Sequence, residues 1–217
     1  MKGLLIKDIK IVMQQKRFFL IMLVFAAFFL IENAESGGTM VVGYMTFLML
    51  MLLVGTVSYD EFDNGYAFLF SLPIQRKEYV REKYVLCVAG CIITCVVSML
   101  LGMTVGSLRI PGFDWRELCL LTVSIATASI MAMSLLLPVQ LKYGASKSRA
   151  VMMLIAASII VCGMLLSHFG DLITLDVSVF LTYLTITNIL VFELVVSVLA
   201  VMISMWVSVR IMEKKEF

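Results

Sequence analysis

Six stretches of this chain are almost free of charge and approach the length that a bilayer demands. Residues 18–31, 39–58, 84–106, 118–141 and 150–167 contain no charged side chain, and 187–209 contains one, Glu193. A helix rises 1.5 Å per residue, so crossing a hydrocarbon core of about 30 Å takes roughly 20 apolar residues. The pattern predicts an all-α integral membrane protein with six transmembrane helices, at about 18–33, 39–58, 84–106, 118–141, 150–167 and 187–209. The first is the shortest. It reaches further if Lys16 and Arg17 snorkel and Glu32–Ala34 adds a turn. Composition agrees: 62% of residues are hydrophobic and 15% charged, against about 45–50% and about 25% in soluble domains.

The placement of charge orients these spans. Of the 17 Lys and Arg, only Arg109 and Arg116 fall on one side when six spans are threaded; the rest share the other side. Basic residues in short loops collect in the cytoplasm. Both termini and the loops 59–83 and 142–149 are therefore predicted to be cytoplasmic, and 32–38, 107–117 and 168–186 to lie outside. The long charged opening, Met1–Arg17, is unlike the short basic start of a removable signal peptide. So few scattered charges also argue against a nucleic-acid surface.

Two segments are neither span nor short loop. In residues 2–17, polar Lys7, Lys10, Gln14 and Arg17 oppose apolar Leu5, Ile9, Val12 and Met13. This helical spacing predicts an amphipathic helix lying in the cytoplasmic membrane interface. Residues 168–186, which include Ile173, Leu175, Val177 and Val179, read as an interfacial or partly re-entrant cap.

Chemistry-bearing residues are sparse. Cys87, Cys91 and Cys95 share one helix face. A thiol or metal site there would need carboxylate or His partners at ligand spacing, and packing is the simpler reading. His168 reads as an interfacial polar residue. Gly144-Ala145-Ser146-Lys147-Ser148 lacks the spacing of a phosphate-binding loop, so the chain is not expected to hydrolyse ATP, and no catalytic, cofactor or metal residue is assigned. Glu193 stands alone inside the sixth span. Intramembrane carboxylates are costly and mark pathways or hydrogen-bonded pairs, which makes it the candidate pathway residue. Gly102-Met103-Thr104-Val105-Gly106 and the row Ser124, Ala128, Ala132 allow close helix contact, expected within the chain. The 17 Met suit adaptable apolar surfaces and also ordinary packing.

The opening Met1-Lys-Gly-Leu-Leu-Ile-Lys-Asp-Ile-Lys and the loop Tyr59-Asp-Glu…Ser71-Leu-Pro-Ile-Gln-Arg-Lys-Glu-Tyr-Val-Arg-Glu-Lys-Tyr84 resemble the ABC-2 type permeases, and among them the small permeases of the phenol-soluble modulin exporter. The resemblance covers essentially the whole chain. It implies a single permease domain over 1–217 that works with cytoplasmic ABC ATPase subunits, which bind ATP-Mg, and with a second permease copy or paralogue. It implies a plasma-membrane location and bacterial origin but does not fix the cargo, because substrates differ widely in the family; the expected cargo, moved out of the cell, is an amphipathic peptide, a toxin, or a drug-like or lipid-like compound.

It also implies that the loop 59–83 carries a coupling helix that docks on the ATPase. The residues are Pro73, Ile74, Gln75, Arg76, Lys77, Glu78, Tyr79, Val80 and Arg81. Pro73 presets φ for a first helical position, and the following ten residues hold no Gly or Pro. Ile74, Tyr79 and Val80 are expected to serve as apolar anchors among the charges. A helix whose basic residues touch only lipid headgroups is the alternative. Two other functions stay open. A secondary transporter would call for charged or broken helices at the midplane, and a non-transporting sensor or immunity subunit would share the architecture.

Overall fold

A computed structural model describes residues 2–32, 37–62, 65–109, 113–170 and 186–215. These residues form seven helices: α1 (Lys2–Gln14), α2 (Lys16–Glu32), α3 (Gly37–Glu61), α4 (Gly65–Ser71), α5 (Arg76–Arg109), α6 (Trp115–Gly170) and α7 (Ile186–Lys214). All regular structure among them is helical, as bilayer immersion requires, because a helix satisfies its backbone hydrogen bonds internally.

Among the described residues four helices are individually long and apolar enough to cross a membrane: Gly37–Glu61, Arg76–Arg109, the Trp115–Gly144 arm of α6, and Asn188–Lys214. The bent pair Gly3–Gln14 and Lys16–Ile31, inclined at 60°, is a fifth candidate. Gln15 makes that bend. Its N–H closes α1 on the Val12 carbonyl at 3.1 Å, and its own carbonyl accepts from Phe18 N–H at 3.0 Å to open α2. The sixth expected span, 150–167, is helical as the second arm of α6, with most of its side chains outside the described residues. The expected cap lies largely outside them too.

The loop expected at 142–149 is reduced to a one-residue break within α6. Gly144 has φ of 74°, a left-handed conformation that glycine adopts without a Cβ penalty. A Cβ there would meet only the flexible carboxylate end of Glu61, so it is the backbone conformation rather than space that calls for glycine.

α3 is the centre of the bundle and packs on α2, α5 and α6, whereas α7 packs on α6 and α5 from outside. Of its apolar window, 56% of α3 is buried within the chain, against 11% for α7. The rest of α7 displays Phe192, Leu199, Ile203 and Trp206. The glycine motif of α5 packs within the chain as expected: a Cβ on Gly102 would meet the Gly38 Cα of α3 at 3.3 Å. Cys87, Cys91 and Cys95 are buried on one side of α5, which fits the packing reading.

α1 has three sides. Leu4, Asp8 and Val12 are buried. Ile6, Ile9 and Met13 form an exposed apolar stripe, and Lys10 and Gln14 an exposed polar one. Ile9 and Met13 thus share the expected apolar face, but it is Leu4, with Val12, that faces the protein.

Candidate functional site

The segments that carry Lys7, Asp60, Arg76, Lys83 and Lys215 converge at one end of the bundle, the basic end. Here the structure buries an ionic junction. Lys83, wholly buried on α5, pairs with Asp8 of α1 and, at 2.7 Å, with Asp60 of α3. Its ammonium also donates to Thr56 Oγ1 at 3.2 Å. Lys7 pairs with Asp60 and, at 3.2 Å, with Asp8. The Tyr79 hydroxyl donates to Asp60 Oδ2 at 3.0 Å.

Two ammonium groups and two Asp carboxylates thus meet from three helices. A charge withdrawn from water costs several kcal/mol unless it is paired and hydrogen-bonded, so the partners fix one another's positions. Glu82, the next residue on α5, is also 0% exposed. Among the described residues neither of its carboxylate oxygens finds a hydrogen-bond partner.

An aromatic layer covers the junction. Tyr66 and Phe70 of α4 stack at 6.2 Å, and each meets Tyr79 edge-on at about 6 Å. Such geometry is favourable beyond burial alone. Burial pushes the Tyr66 phenol above its usual range, so it stays neutral. Arg76 lies over Phe70 at 5.7 Å, and Lys215 over Tyr66 at 4.9 Å.

The C-terminus of α7 is fastened to the same place. Arg76 Nη1 donates to the carbonyls of Met212 at 3.1 Å and Glu213 at 2.8 Å. Lys77 pairs with Glu213 at 3.4 Å. A cation on terminal helix carbonyls satisfies orphan acceptors and complements the helix dipole. Lys215 donates to the Leu141 carbonyl at 3.1 Å, next to the break in α6.

Residues 73–81 are rearranged relative to expectation. Pro73 does not open the helix. α5 begins at Arg76, and the Gln75 carbonyl accepts from Glu78 N–H at 3.0 Å and Tyr79 N–H at 3.2 Å. Residues 76–83 are therefore the first turns of a long span helix. Tyr79 and Val80 are fully buried. As anchors for a partner they are corrected to core residues, because their side of α5 faces α1, α3 and α4. Pro73, Gln75, Lys77 and Arg81 are exposed, while Ile74, Arg76 and Glu78 are half-buried. The exposed apolar side chains of this region lie earlier, at Tyr59, Phe62 (74% exposed), Phe68 (72%) and Leu72.

Glu193 lies far from the junction in sequence and structure. It is half-buried on α7, and the Thr127 hydroxyl of α6 donates to its Oε2 at 3.1 Å. At i, i+4, i+11 and i+15, Glu193, Ser197, Ser204 and Ser208 share one face of α7. Ser204 donates to the Ser134 carbonyl of α6. The Tyr84 hydroxyl of α5 meets Ser204 at 2.5 Å and Ser208 at 2.8 Å. This polar stripe and the ionic junction are absent from the sequence reading. The signal for the junction was Asp8, a carboxylate between Leu4 and Val12 at i±4 on the helix side that meets the protein.

Among the described residues no cluster of His, Cys, Asp or Glu could hold a metal ion. The long apolar helices define a multi-pass α-helical membrane protein. A family model described as "ABC-2 family transporter protein" matches residues 3–213. The chain belongs to the ABC-2 transporter family, a family of membrane transport components whose members associate with an ABC ATPase. No curated protein and no solved structure matches it.

Proposed function

We propose that this chain is the transmembrane permease subunit of an ATP-driven exporter, with six spans, both termini and the basic end in the cytoplasm, and a second permease copy or paralogue beside it. ATP-Mg belongs to the partner ATPase. The cargo is amphipathic: a peptide, a toxin, or a drug-like or lipid-like compound. α1 lies in the inner interface, with Ile6, Ile9 and Met13 toward lipid. Glu193, steadied by Thr127, is the group assigned to the cargo pathway.

The observation that carries this reading is the position of residues 59–62 and 65–81. They present exposed apolar and basic side chains on one side and are joined on the other, through Tyr79 and Asp60, to the junction of α1, α3 and α5. A push on that surface is delivered to three helices at once. The coupling role thus rests on the whole loop rather than on a free-standing helix at 73–83.

The test is Arg81→Glu, which reverses an exposed charge and leaves the Lys77–Glu213 pair intact. Co-purification of the ATPase and cargo-stimulated ATP hydrolysis are expected to fall about tenfold, equivalent to about 1.4 kcal/mol of association. Wild-type values for both would mean that this loop does not transmit the ATPase stroke.

A further inference from the structure

Glu82 is buried in the basic end and takes no part in the ion pairs described above. It is 0% exposed, and among the described residues neither of its oxygens has a hydrogen-bond partner. The uncharged run of α5 that crosses the membrane starts at Tyr84, so Glu82 belongs to the charged segment before it.

The neighbouring cations are already committed. An ammonium has three N–H donors. Lys83 spends them on Asp8, Asp60 and Thr56. Lys7 pairs with Asp60 and Asp8. The two lysines are thus matched by two aspartates, and an ionised Glu82 would be a third anion beside two cations.

The other elements packed on α5 do not offset that charge. On α5 itself Tyr79 and Cys87 flank Glu82, and Tyr79 gives its proton to an Asp60 hydrogen bond. α4 contributes the Tyr66 phenol, which meets Tyr79. α6 has no charged side chain over 118–141, and Lys142 is exposed. α7 has none over 194–209; beyond it Arg210 lies over Trp206 and Glu213 pairs with Lys77. Lys16 and Arg17 of α2 are exposed. A buried carboxylate without a donor takes up a proton rather than bear the cost of its charge. Burial pushes the Glu82 carboxyl up to about 7, with Lys83 and Lys7 opposing and Asp8 and Asp60 reinforcing.

We infer that Glu82 is a proton-binding site of the ionic junction, occupied while the junction is closed. On release the carboxyl O–H bond breaks and the proton passes to water, which reaches the junction at Lys7, 33% exposed. Glu82 then competes with Asp8 and Asp60 for Lys83. A lysine shared among three carboxylates holds Asp8 less firmly, so α1 is fastened to α5 more weakly at higher pH. The site is made by α1, α3 and α5 alone and is the same whichever side of the membrane the basic end faces.

The direction of the pH effect follows. An unfolded Glu ionises near about pH 4.3, whereas the folded site keeps its proton to about pH 7. Between the two the folded chain binds more protons, so stability falls as pH rises across that window. Two measurements on the full chain in detergent test this. The melting temperature of the wild type is expected to fall between about pH 5 and about pH 8, and Glu82→Gln, which keeps the size but cannot ionise, to remove most of that fall. Infrared spectra of the wild type at about pH 5 should contain the C=O stretch of a protonated carboxyl that is lost at about pH 8 and is missing from Glu82→Gln. Glu82→Met gives the same spectral subtraction if the Gln variant does not fold. An unchanged pH slope in Glu82→Gln, or a wild-type spectrum at low pH that matches that of either variant in this band, overturns the site.

Discussion

Asp8 and Glu193 are both carboxylates on largely apolar helix faces, and the protein treats them in opposite ways. Asp8 is 0% exposed and is held by Lys83 and Lys7. Glu193 is half-buried and is held by one hydroxyl. The first belongs to a network in which each charge depends on the others for its solvation. The second belongs to a helix that turns most of its surface outward. The basic end is therefore joined by buried ion pairs, whereas the polar part of the extensive α6–α7 contact is joined by hydroxyl hydrogen bonds.

Lys83→Met should produce the largest effect. It leaves Asp8 and Asp60 buried with only Lys7 between them, and removing one partner from a buried ion pair costs about 3–5 kcal/mol. Thermal unfolding of purified protein in detergent is expected to shift sharply downward. An unchanged melting temperature would show that the buried ion pairs do not hold the basic end together.

Glu82→Met sharpens the same contrast in the other direction. Glu82 shares the junction's burial without sharing its hydrogen bonds. A buried polar group without a partner costs about 1–3 kcal/mol, so an apolar side chain of similar length is expected to stabilise the protein by about that amount. A lower melting temperature would mean that the nearby lysines hold Glu82 as part of the network.

The two regions also differ in how far they could be read from sequence. The apolar runs disclosed α3, α5, the first arm of α6, and α7, because an uncharged run of that length has few soluble alternatives. Glu193 was legible for the same reason, as one charge against an apolar background. The junction was not. Lys7 and Asp8 lie midway along α1, Asp60 near the end of α3 and Lys83 two turns into α5, next to the charged segments that flank the apolar runs, where charges are ordinary. Their pairing spans 53 residues for Lys7–Asp60 and 75 for Lys83–Asp8, a separation that no local pattern encodes. Tyr79 and Val80 looked like partner anchors because their neighbours Lys77, Glu78 and Arg81 are charged. Their burial follows from how α1, α3 and α4 surround α5, a tertiary fact. The φ preference of Pro73 suits a helix start, yet the Gln75 carbonyl is where the helical hydrogen bonds begin.

Glu193→Gln should have the smallest effect on stability, and it separates the structural role of the residue from its functional one. The bond that Glu193 accepts from Thr127 can be kept by the amide oxygen of Gln, which matches the carboxylate in size. Side-chain hydrogen bonds between membrane helices are worth about 0.6 kcal/mol on average, so even complete loss would move the melting temperature little. Glu193→Leu, which removes the acceptor, brackets the measurement and should cost about that 0.6 kcal/mol. With both variants folded, export in reconstituted vesicles isolates the charge. Under the pathway assignment, Glu193→Gln lowers export severalfold at unchanged stability. Wild-type export by the Gln variant would reduce Glu193 to one more hydroxyl-bonded residue on the polar stripe of α7 and would move the search for the cargo route to another face of the bundle.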